Sequence, residues 1–219
     1  SGALSLSLAL FLNSQKRLRN TEKMTLSPDQ QQVVDLVQEG HHVLVTGPGG
    51  TGKSFLVDYL TEHLEERVVG LTASTGIAAV NISGMTYHAF SGIGLAKESV
   101  DEGVEKVLVS EWNEGARERI RKIDVLIIDE VSMLGSDHFV KLDQVFRAVR
   151  KDNAPFGGVQ LLMFGDFLQL PPINDEFLFT HPLWGYMLPA VVVLTTVHRT
   201  KDQEFAELLQ RVRVGMHTK

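Results

Sequence analysis

Runs of mainly apolar residues alternate with amphipathic segments along most of this chain. The apolar runs are short, as buried strands of a parallel sheet are, and they lie at 43–46, 68–73, 125–128, 159–164 and 191–194. Segments with helical periodicity separate them, at 28–39, 53–66, from 75 onward, and at 136–151. Strands that alternate with helices indicate βαβ units with right-handed crossovers. The pattern therefore predicts an α/β fold with a parallel sheet, and a ligand at the carboxyl ends of its strands.

One segment, 95–122, does not follow this rhythm. It holds seven acidic and six basic residues and has no strand pattern. We predict one or two short helices here, forming a small insertion on a core that extends over 25–215.

Composition narrows the class of protein without identifying it. The 219 residues are 43% apolar and 22% charged, which is ordinary for a globular protein. Cysteine is absent, so there is no disulfide framework and no thiolate metal site. The net charge of −6 argues against a uniformly basic nucleic-acid-binding surface, although a local basic groove is still compatible with it. No apolar run approaches the roughly 20 residues that span a bilayer.

The first 24 residues differ from the remainder. They carry four basic side chains and one acidic one, a net +3, so residues 25–219 carry −9. A basic, serine-rich, acid-poor start is typical of an organelle targeting peptide. The opening Ser-Gly also fits an expression scar, and a linker or an extra amphipathic helix fits equally well. We exclude 1–24 from the core.

The run 47–54 carries the clearest chemistry, because it fills every fixed position of the phosphate-binding template G-x-x-x-x-G-K-[ST]. A predicted strand leads in and a predicted helix leads out. Backbone N–H groups and the helix N-terminus would hold a polyphosphate. Lys53 would reach the β- and γ-phosphates, and Ser54 would bind Mg²⁺. The residues predicted to bind ATP here are Gly47, Pro48, Gly49, Gly50, Thr51, Gly52, Lys53 and Ser54.

Polar residues follow two further predicted strands. Asp129 and Glu130 come directly after 125–128, facing the phosphate loop, where Asp129 would hold Mg²⁺ and Glu130 would polarise the attacking water. Gln169 follows 159–164 and would lie near the γ-phosphate, to orient water or report phosphate loss. As a pattern alone, Gln169 fits an ordinary loop residue equally well.

Several stretches, in order, resemble motifs of the Pif family of 5′-to-3′ DNA helicases. Thr72–Ala79, Gly84–Gly94, Asp129–Leu134 and Gly165–Pro172 are similar to helicase motifs, and Arg147–Arg150 with Pro155–Gln160 resembles the element that marks this family. The likeness covers about 26–215. It implies a three-layer RecA-like domain with helices on both faces of the sheet, and a wedge role for the insertion at 95–122.

The resemblance also implies roles for individual residues. Gln30 resembles the glutamine that reads the adenine edge, and Arg199 resembles an arginine that contacts the γ-phosphate. The residues that resemble single-stranded DNA contacts are Thr72, Ser74, Thr75, Gly76, Thr86, His88 and Phe90. As alternatives, the Ser and Thr residues would be helix caps and Phe90 a core residue. Thr200 stands where the family usually has glutamine, which weakens the assignment of Arg199.

The resemblance implies a monomeric motor that uses ATP and Mg²⁺ and acts on single-stranded, forked or structured DNA in repair, recombination and telomere maintenance. Its second RecA-like domain would follow from 216–219 onward. It implies no membrane partner, and an intracellular location: nucleus or mitochondrion in a eukaryote, cytoplasm in a bacterium. Two rival hypotheses stay open: a P-loop ATPase that remodels proteins or loads a helicase, and a nucleotide-binding module without enzymatic activity.

Overall fold

The computed structural model describes residues 26–94, 99–187, 189–198 and 203–216. Its strands are β1 Val43–Thr46, β2 Val69–Ala73, β3 Met85–Thr86, β4 Val125–Asp129, β5 Gln160–Gly165 and β6 Ala190–Val193. Its helices are α1 Pro28–Gln38, α2 Lys53–His63, α3 Gly76–Asn81, α4 Tyr87–Ser91, α5 Val100–Val109, α6 Glu114–Lys122, α7 Ser136–Arg150, α8 Pro182–Met187 and α9 Gln203–Arg213. The expectations for 1–24 lie outside the described residues.

All six strands form one parallel sheet in the order β3-β2-β4-β5-β1-β6. The predicted α/β fold with a parallel sheet is confirmed. Because the strands are parallel, all their carboxyl ends lie along one edge. At this edge β4, β5 and β1 are neighbours, and Thr46 pairs with Gly165.

The two faces of the sheet are covered by different helices. Side chains alternate along each strand, so Ile127 and Leu162 point to one face, and Ile128 and Leu161 point to the other. The first face packs on α1, α2 and α3. The second packs on α4, α5, α6, α7 and α8. This is a three-layer arrangement with a buried, apolar sheet between two helical layers.

The described part of the predicted insertion, 99–122, contains two α-helices, α5 and α6, joined by a 3-10 turn at Glu111–Asn113. Val107 and Ile120 are fully buried in the cluster that also contains α7. Arg150 of α7 donates to the carbonyls of Ile120 at 2.9 Å and Ile123 at 3.0 Å. A side chain from the family-like element at 147–160 thus closes the end of α6 and ties the insertion to the core.

Local differences from the sequence predictions have simple causes. Strand β3 was not predicted because two residues carry no hydrophobic pattern. Helix α2 ends at His63 rather than at 66, since Leu64 leaves the helical region and a turn follows from Leu64 to Arg67. None of the helices in the described ranges is long and apolar enough to cross a membrane.

Candidate nucleotide-binding site

Three neighbouring strand ends bring the predicted nucleotide-site residues together. The phosphate loop follows β1, the Asp166–Gln169 turn follows β5, and Asp129–Glu130 ends β4. Burial lowers the pKa of Lys53, whereas Asp166, Glu130 and Asp129 act in the opposite direction. The ammonium of Lys53 therefore lies within electrostatic range of all three carboxylates.

The phosphate loop is held in shape by its own side chains. Lys53 Nζ donates to the carbonyls of Gly47 at 2.6 Å and Pro48 at 2.9 Å, and the buried Thr51 hydroxyl donates to Pro48 at 2.9 Å. Gly52 has φ of +90°, and a Cβ built on it would lie 2.5 Å from Gln30 Nε2. Only glycine fits this position.

Gln30 is buried against the phosphate loop, with 2% of its surface exposed. Its Oε1 accepts from the Ser27 backbone N–H at 3.0 Å, and its Nε2 faces Gly52. The predicted helix start at Ser27 and Pro28 is confirmed. Asp29 accepts from the backbone N–H of Thr195 at 2.9 Å, which joins the start of α1 to the chain after β6. Gln30 thus lies beside the loop, and its proposed contact with adenine stays a prediction.

Asp129 and Glu130 form a tight acidic pair at the end of β4. Burial raises the pKa of Asp129 to about 6, and the nearby Glu130 charge adds to this rise. The backbone N–H of Glu130 opposes it by donating to Asp129 Oδ1 at 2.9 Å. Glu130 has φ of +52° and ψ of +44°, a left-handed conformation that is uncommon for a non-glycine residue and recurs at functional sites.

The turn after β5 is organised by the buried carboxylate of Asp166, which is 1% exposed. Gln169 is itself exposed, and its Nε2 donates to Asp166 Oδ2 at 3.0 Å. Gly165 permits this arrangement, because a Cβ there would lie 2.9 Å from the Val131 backbone nitrogen. The end of β5 consequently packs directly against the turn that follows Asp129–Glu130.

A cavity of about 840 Å³ opens beside the phosphate loop, a size typical of small-molecule sites. Its wall includes Pro48 and Gly49 from the loop, Asp166 and Gln169 from the β5 turn, and Arg213 from α9. Arg213 forms a two-pronged ion pair with Asp166, at 2.7 and 2.8 Å. No local spacing links residues 47 positions apart, so no sequence pattern predicts this contact.

The residues present fit a Mg²⁺ ion. Mg²⁺ prefers oxygen ligands and in phosphate-binding loops is held by a hydroxyl and a carboxylate. Ser54 directly follows Lys53 and is exposed, and the buried Asp129 carboxylate interacts with the Lys53 ammonium. A cation beside Asp129 would stabilise the ionised carboxylate and so offset the effect of burial, which raises its pKa. No group of three or more His, Asp or Glu side chains within the described ranges forms an alternative metal cluster.

Two predicted DNA-contact side chains are not at the surface. Thr72 is 0% exposed, and its hydroxyl donates to the Ile127 carbonyl inside the sheet at 2.7 Å. Phe90 is 5% exposed, lies in the core near Phe146, and is covered by Arg119, whose guanidinium carbon is 5.6 Å from the ring centroid. The expected DNA contacts of the Thr72 and Phe90 side chains therefore need correction, because both side chains are buried and stabilise the fold.

The other predicted DNA-contact residues lie nearer the surface. Thr75 and Thr86 are the N-caps of α3 and α4, where their hydroxyls accept from Ala78 at 3.2 Å and Ala89 at 3.3 Å. Gly76 is exposed at the start of α3, and His88 is half-buried against Tyr87, with ring centroids 3.9 Å apart. Burial, together with His138, lowers the pKa of His88 to about 4, so the ring is neutral at pH 7.

A backbone hydrogen bond joins this segment to the nucleotide edge. The N–H of Ser74 donates to the carbonyl of Asp129 at 3.0 Å, extending the pairing of β2 with β4. Arg199, which was expected to contact the γ-phosphate, lies outside the described residues. His198, just before it, donates from its backbone to Gly50 at 2.8 Å, so the chain reaches the phosphate loop at this point.

The parallel sheet and the loop-plus-carboxylate arrangement at its edge define a P-loop nucleotide-binding domain. The family model of PIF1-like helicases matches residues 25–219. The chain is 41% identical to the ATP-dependent DNA helicase PIF1 of Emericella nidulans over 82% of this chain, and 41% identical to that of Homo sapiens over 88%. The chain belongs to the PIF1-like helicase family.

Solved structures agree with this assignment. Pif1 helicase from Candida albicans superposes with a TM-score of 0.81 at 38% identity, covering 87% of this chain and 44% of the other. Bacteroides Pif1 bound to single-stranded DNA gives 0.75 at 31% identity, covering 90% and 48%. The fold is thus the RecA-like fold that the resemblance implied. The chain spans 25% of the Emericella protein and 30% of the human one.

Proposed function

We propose that this chain is the nucleotide-binding half of an ATP-driven DNA helicase, and that the complete motor hydrolyses ATP with Mg²⁺ and moves 5′ to 3′ on single-stranded DNA. The observation that carries the proposal is the convergence of Lys53, Asp129–Glu130 and the Asp166–Gln169 turn at three adjacent strand ends. Relatives with this domain are named ATP-dependent DNA helicases, and a Bacteroides Pif1 structure holds ADP-AlF3 with single-stranded DNA.

Each residue at the edge has a task suited to its chemistry. Lys53 leaves its loop carbonyls to neutralise the β- and γ-phosphates, and backbone N–H groups of the loop bind the phosphate oxygens. Ser54 and Asp129 would hold Mg²⁺, which would supply charge stabilisation to the transferring phosphoryl group. Glu130 accepts a proton from the attacking water, and Gln169 orients that water. Gln30 reads the adenine edge.

The DNA side of the proposal rests on the segment that follows β2. We expect Ser74, Thr75 and Gly76, at the start of α3, to lie against a phosphate of the strand, and Thr86 and His88 to line the strand's path. Ser74 is bonded to the Asp129 carbonyl, and we infer that this bond is a route by which a change at the nucleotide edge reaches the segment. Coupling of this kind is what a translocating motor needs.

Other parts of the proposal concern a polypeptide longer than this chain. A second RecA-like domain closes over the nucleotide, and Arg199 contacts the γ-phosphate when it does. The motor acts as a monomer on forked and structured DNA in genome maintenance. The segment 95–122 is its wedge. It works inside the cell: in nucleus or mitochondrion in a eukaryote, and in cytoplasm in a bacterium.

A phosphate-release assay separates this proposal from its rivals. We expect a polypeptide of the relatives' length that contains this chain to hydrolyse ATP faster when single-stranded DNA is added, and to unwind a 5′-tailed but not a 3′-tailed duplex. Lys53→Ala in the same polypeptide is the control for contaminating ATPases. Stimulation by a protein but not by DNA would favour the remodelling ATPase, and binding without turnover would favour the non-enzymatic module.

A further inference from the structure

The buried carboxylate of Asp166 joins two parts of the molecule, the turn after β5 and helix α9. Its Oδ1 accepts from the Leu168 backbone N–H at 3.2 Å and from Arg213 Nη2 at 2.8 Å. Its Oδ2 accepts from Gln169 Nε2 at 3.0 Å and from Arg213 Nε at 2.7 Å. The two oxygens therefore bind the β5 turn and α9 at once.

Gln169 and Arg213 both donate to one oxygen atom, Oδ2 of Asp166, so the position of this carboxylate affects both bonds. Arg213 is the last residue of α9, and both it and Gln169 line the cavity beside the phosphate loop. The guanidinium makes two parallel bonds, which fix direction as well as distance. A shift of α9 would therefore rotate or release the carboxylate that holds the Gln169 amide.

Electrostatics favour this arrangement over an incidental contact. Burial raises the pKa of Asp166, but hydrogen bonds from Arg213 and Gln169 outweigh it and the net shift is downward. The carboxylate is therefore ionised at neutral pH, and it is 1% exposed, with the Arg213 side chain at 18%. A buried charge that loses its partner is strongly disfavoured, so the turn cannot keep this geometry once Arg213 leaves.

We propose that Asp166 is a positioning residue: it sets the orientation of Gln169 at the phosphate end of the cavity according to whether Arg213 of α9 is docked on it. The inference deepens the proposed function and rests on it where it concerns the hydrolysis of ATP. Asp166 itself need not touch the nucleotide, and its effect passes through Gln169.

The first test needs no turnover. Hydrogen exchange is measured on the 219-residue chain with Arg213→Ala, and with Arg211→Ala as the matched control on the same helix, since Arg211 is not among the residues bonded to Asp166. We expect exchange at the Leu168 and Gln169 amides to rise about tenfold in Arg213→Ala only. Equal exchange in both variants would overturn the proposal.

Arg213→Lys keeps the charge but not the two parallel bonds, and it guards against an alanine variant that fails to fold. We expect exchange at the same two amides to lie between the wild-type and the Arg213→Ala values. If Arg213→Ala unfolds, a lysine variant that melts as the wild type does and exchanges faster at these amides alone supports the proposal. A folded lysine variant with wild-type exchange contradicts it.

The second test measures ATP turnover in a polypeptide of the relatives' length. We expect Arg213→Ala and Asp166→Asn each to lower kcat about tenfold with less than about threefold change in KM, because a group orienting the reaction is lost rather than a binding contact. Adding Gln169→Ala to Arg213→Ala should bring no further loss beyond Gln169→Ala alone. Additive losses would overturn the proposal.

The proposed function and the positioning role of Asp166 can be contradicted separately. A wild-type polypeptide without DNA-stimulated hydrolysis would contradict the proposed function, while the exchange measurement would still decide whether Arg213 orders the turn. A DNA-stimulated wild type whose Arg213→Ala variant behaves like Arg211→Ala would leave the proposed function standing and contradict the role of Asp166.

Discussion

The nucleotide edge and the segment after β2 are neighbours in the sheet but differ in what their polar groups contact. At the nucleotide edge, the charged side chains of Lys53 and Asp129 interact with each other, and a cavity beside the phosphate loop is lined in part by Pro48, Gly49 and Asp166. In the segment at 72–90, the hydroxyls of Thr75 and Thr86 accept from backbone N–H groups of the segment itself, and the Thr72 hydroxyl donates to the Ile127 carbonyl of β4. The first region places charged groups beside a cavity, whereas the polar side chains of the second hold the fold in place.

Because of this difference, we expect substitutions in the two regions to have different effects. Substitutions at the nucleotide edge should alter binding and turnover with little change in the free energy of unfolding. Substitutions at 72–90 should affect either the fold or the DNA affinity, depending on which way each side chain points. The following predictions test that division, beginning with the largest effect.

Lys53→Ala should abolish tight ATP binding and leave the fold intact. The ammonium neutralises charge on the phosphates, and its bonds to Gly47 and Pro48 add little to the core. A titration with fluorescent nucleotide measures the affinity, and circular dichroism checks the fold. Lys122→Ala removes an exposed pair with Glu118 and serves as control. Unchanged affinity in Lys53→Ala would contradict the assignment of the site.

Glu130→Gln should bind nucleotide and Mg²⁺ normally and lose turnover. The amide keeps the shape of the side chain but is a far poorer base, and general-base catalysis contributes about 10²–10⁴-fold. Single-turnover phosphate release in a polypeptide of the relatives' length measures the effect. A loss of less than about tenfold would reassign Glu130 to a structural role, for instance in the left-handed turn it occupies.

Phe90→Ala should destabilise the domain by about 3–5 kcal/mol, the usual cost of removing a buried phenylalanine. Its ring fills the core beside Phe146 and over Gly70. Urea unfolding measures the loss. His88→Ala is the matched neighbour: it should leave stability nearly unchanged and weaken single-stranded DNA binding. A stable Phe90→Ala that loses DNA affinity would place Phe90 in the DNA path after all.

Nucleotide affinity in the presence of Mg²⁺ should fall about tenfold between pH 7 and pH 5, because the Asp129 carboxylate takes up a proton near its raised pKa of about 6. The raised value means that the folded state holds this proton more tightly than the unfolded chain. From this group alone, stability therefore falls as pH rises from 3.8 to about 6. Asp129→Asn should remove this pH dependence of nucleotide affinity. An unchanged profile in Asp129→Asn would exclude Asp129 as the titrating group.

The two regions also differ in how far the sequence predicts them. The phosphate loop is a local run whose glycines dictate backbone shape, and Asp129 is placed by the strand before it, so both were found at the expected sheet edge. Thr72 and Phe90 depend on which face a side chain takes, and a motif match does not determine that. Both were assigned to DNA although Thr72 points into a β-sheet and Phe90 into an apolar layer.

Contacts between distant segments cannot be predicted from the sequence. The Asp166–Arg213 pair joins positions 47 residues apart, and Gln160, whose Nε2 donates to the His41 carbonyl at 2.6 Å, has a partner 119 positions away. No periodicity or spacing marks either contact, since each depends on how α9 or α1 is finally packed. Strand β3 cannot be predicted for a similar reason, because its two residues join the sheet by pairing with β2.

The most direct test of the central claim is the rate of ATP hydrolysis with saturating single-stranded DNA, measured on the 219-residue chain and on a polypeptide of the relatives' length that contains it. If this chain is one half of a shared active site, it should bind nucleotide but hydrolyse it slowly, and the longer polypeptide should gain both rate and DNA affinity. Arginine contacts in related NTPases contribute about 10³–10⁵-fold in rate. A 219-residue chain that by itself unwinds a 5′-tailed duplex at the rate of the longer polypeptide would contradict the claim.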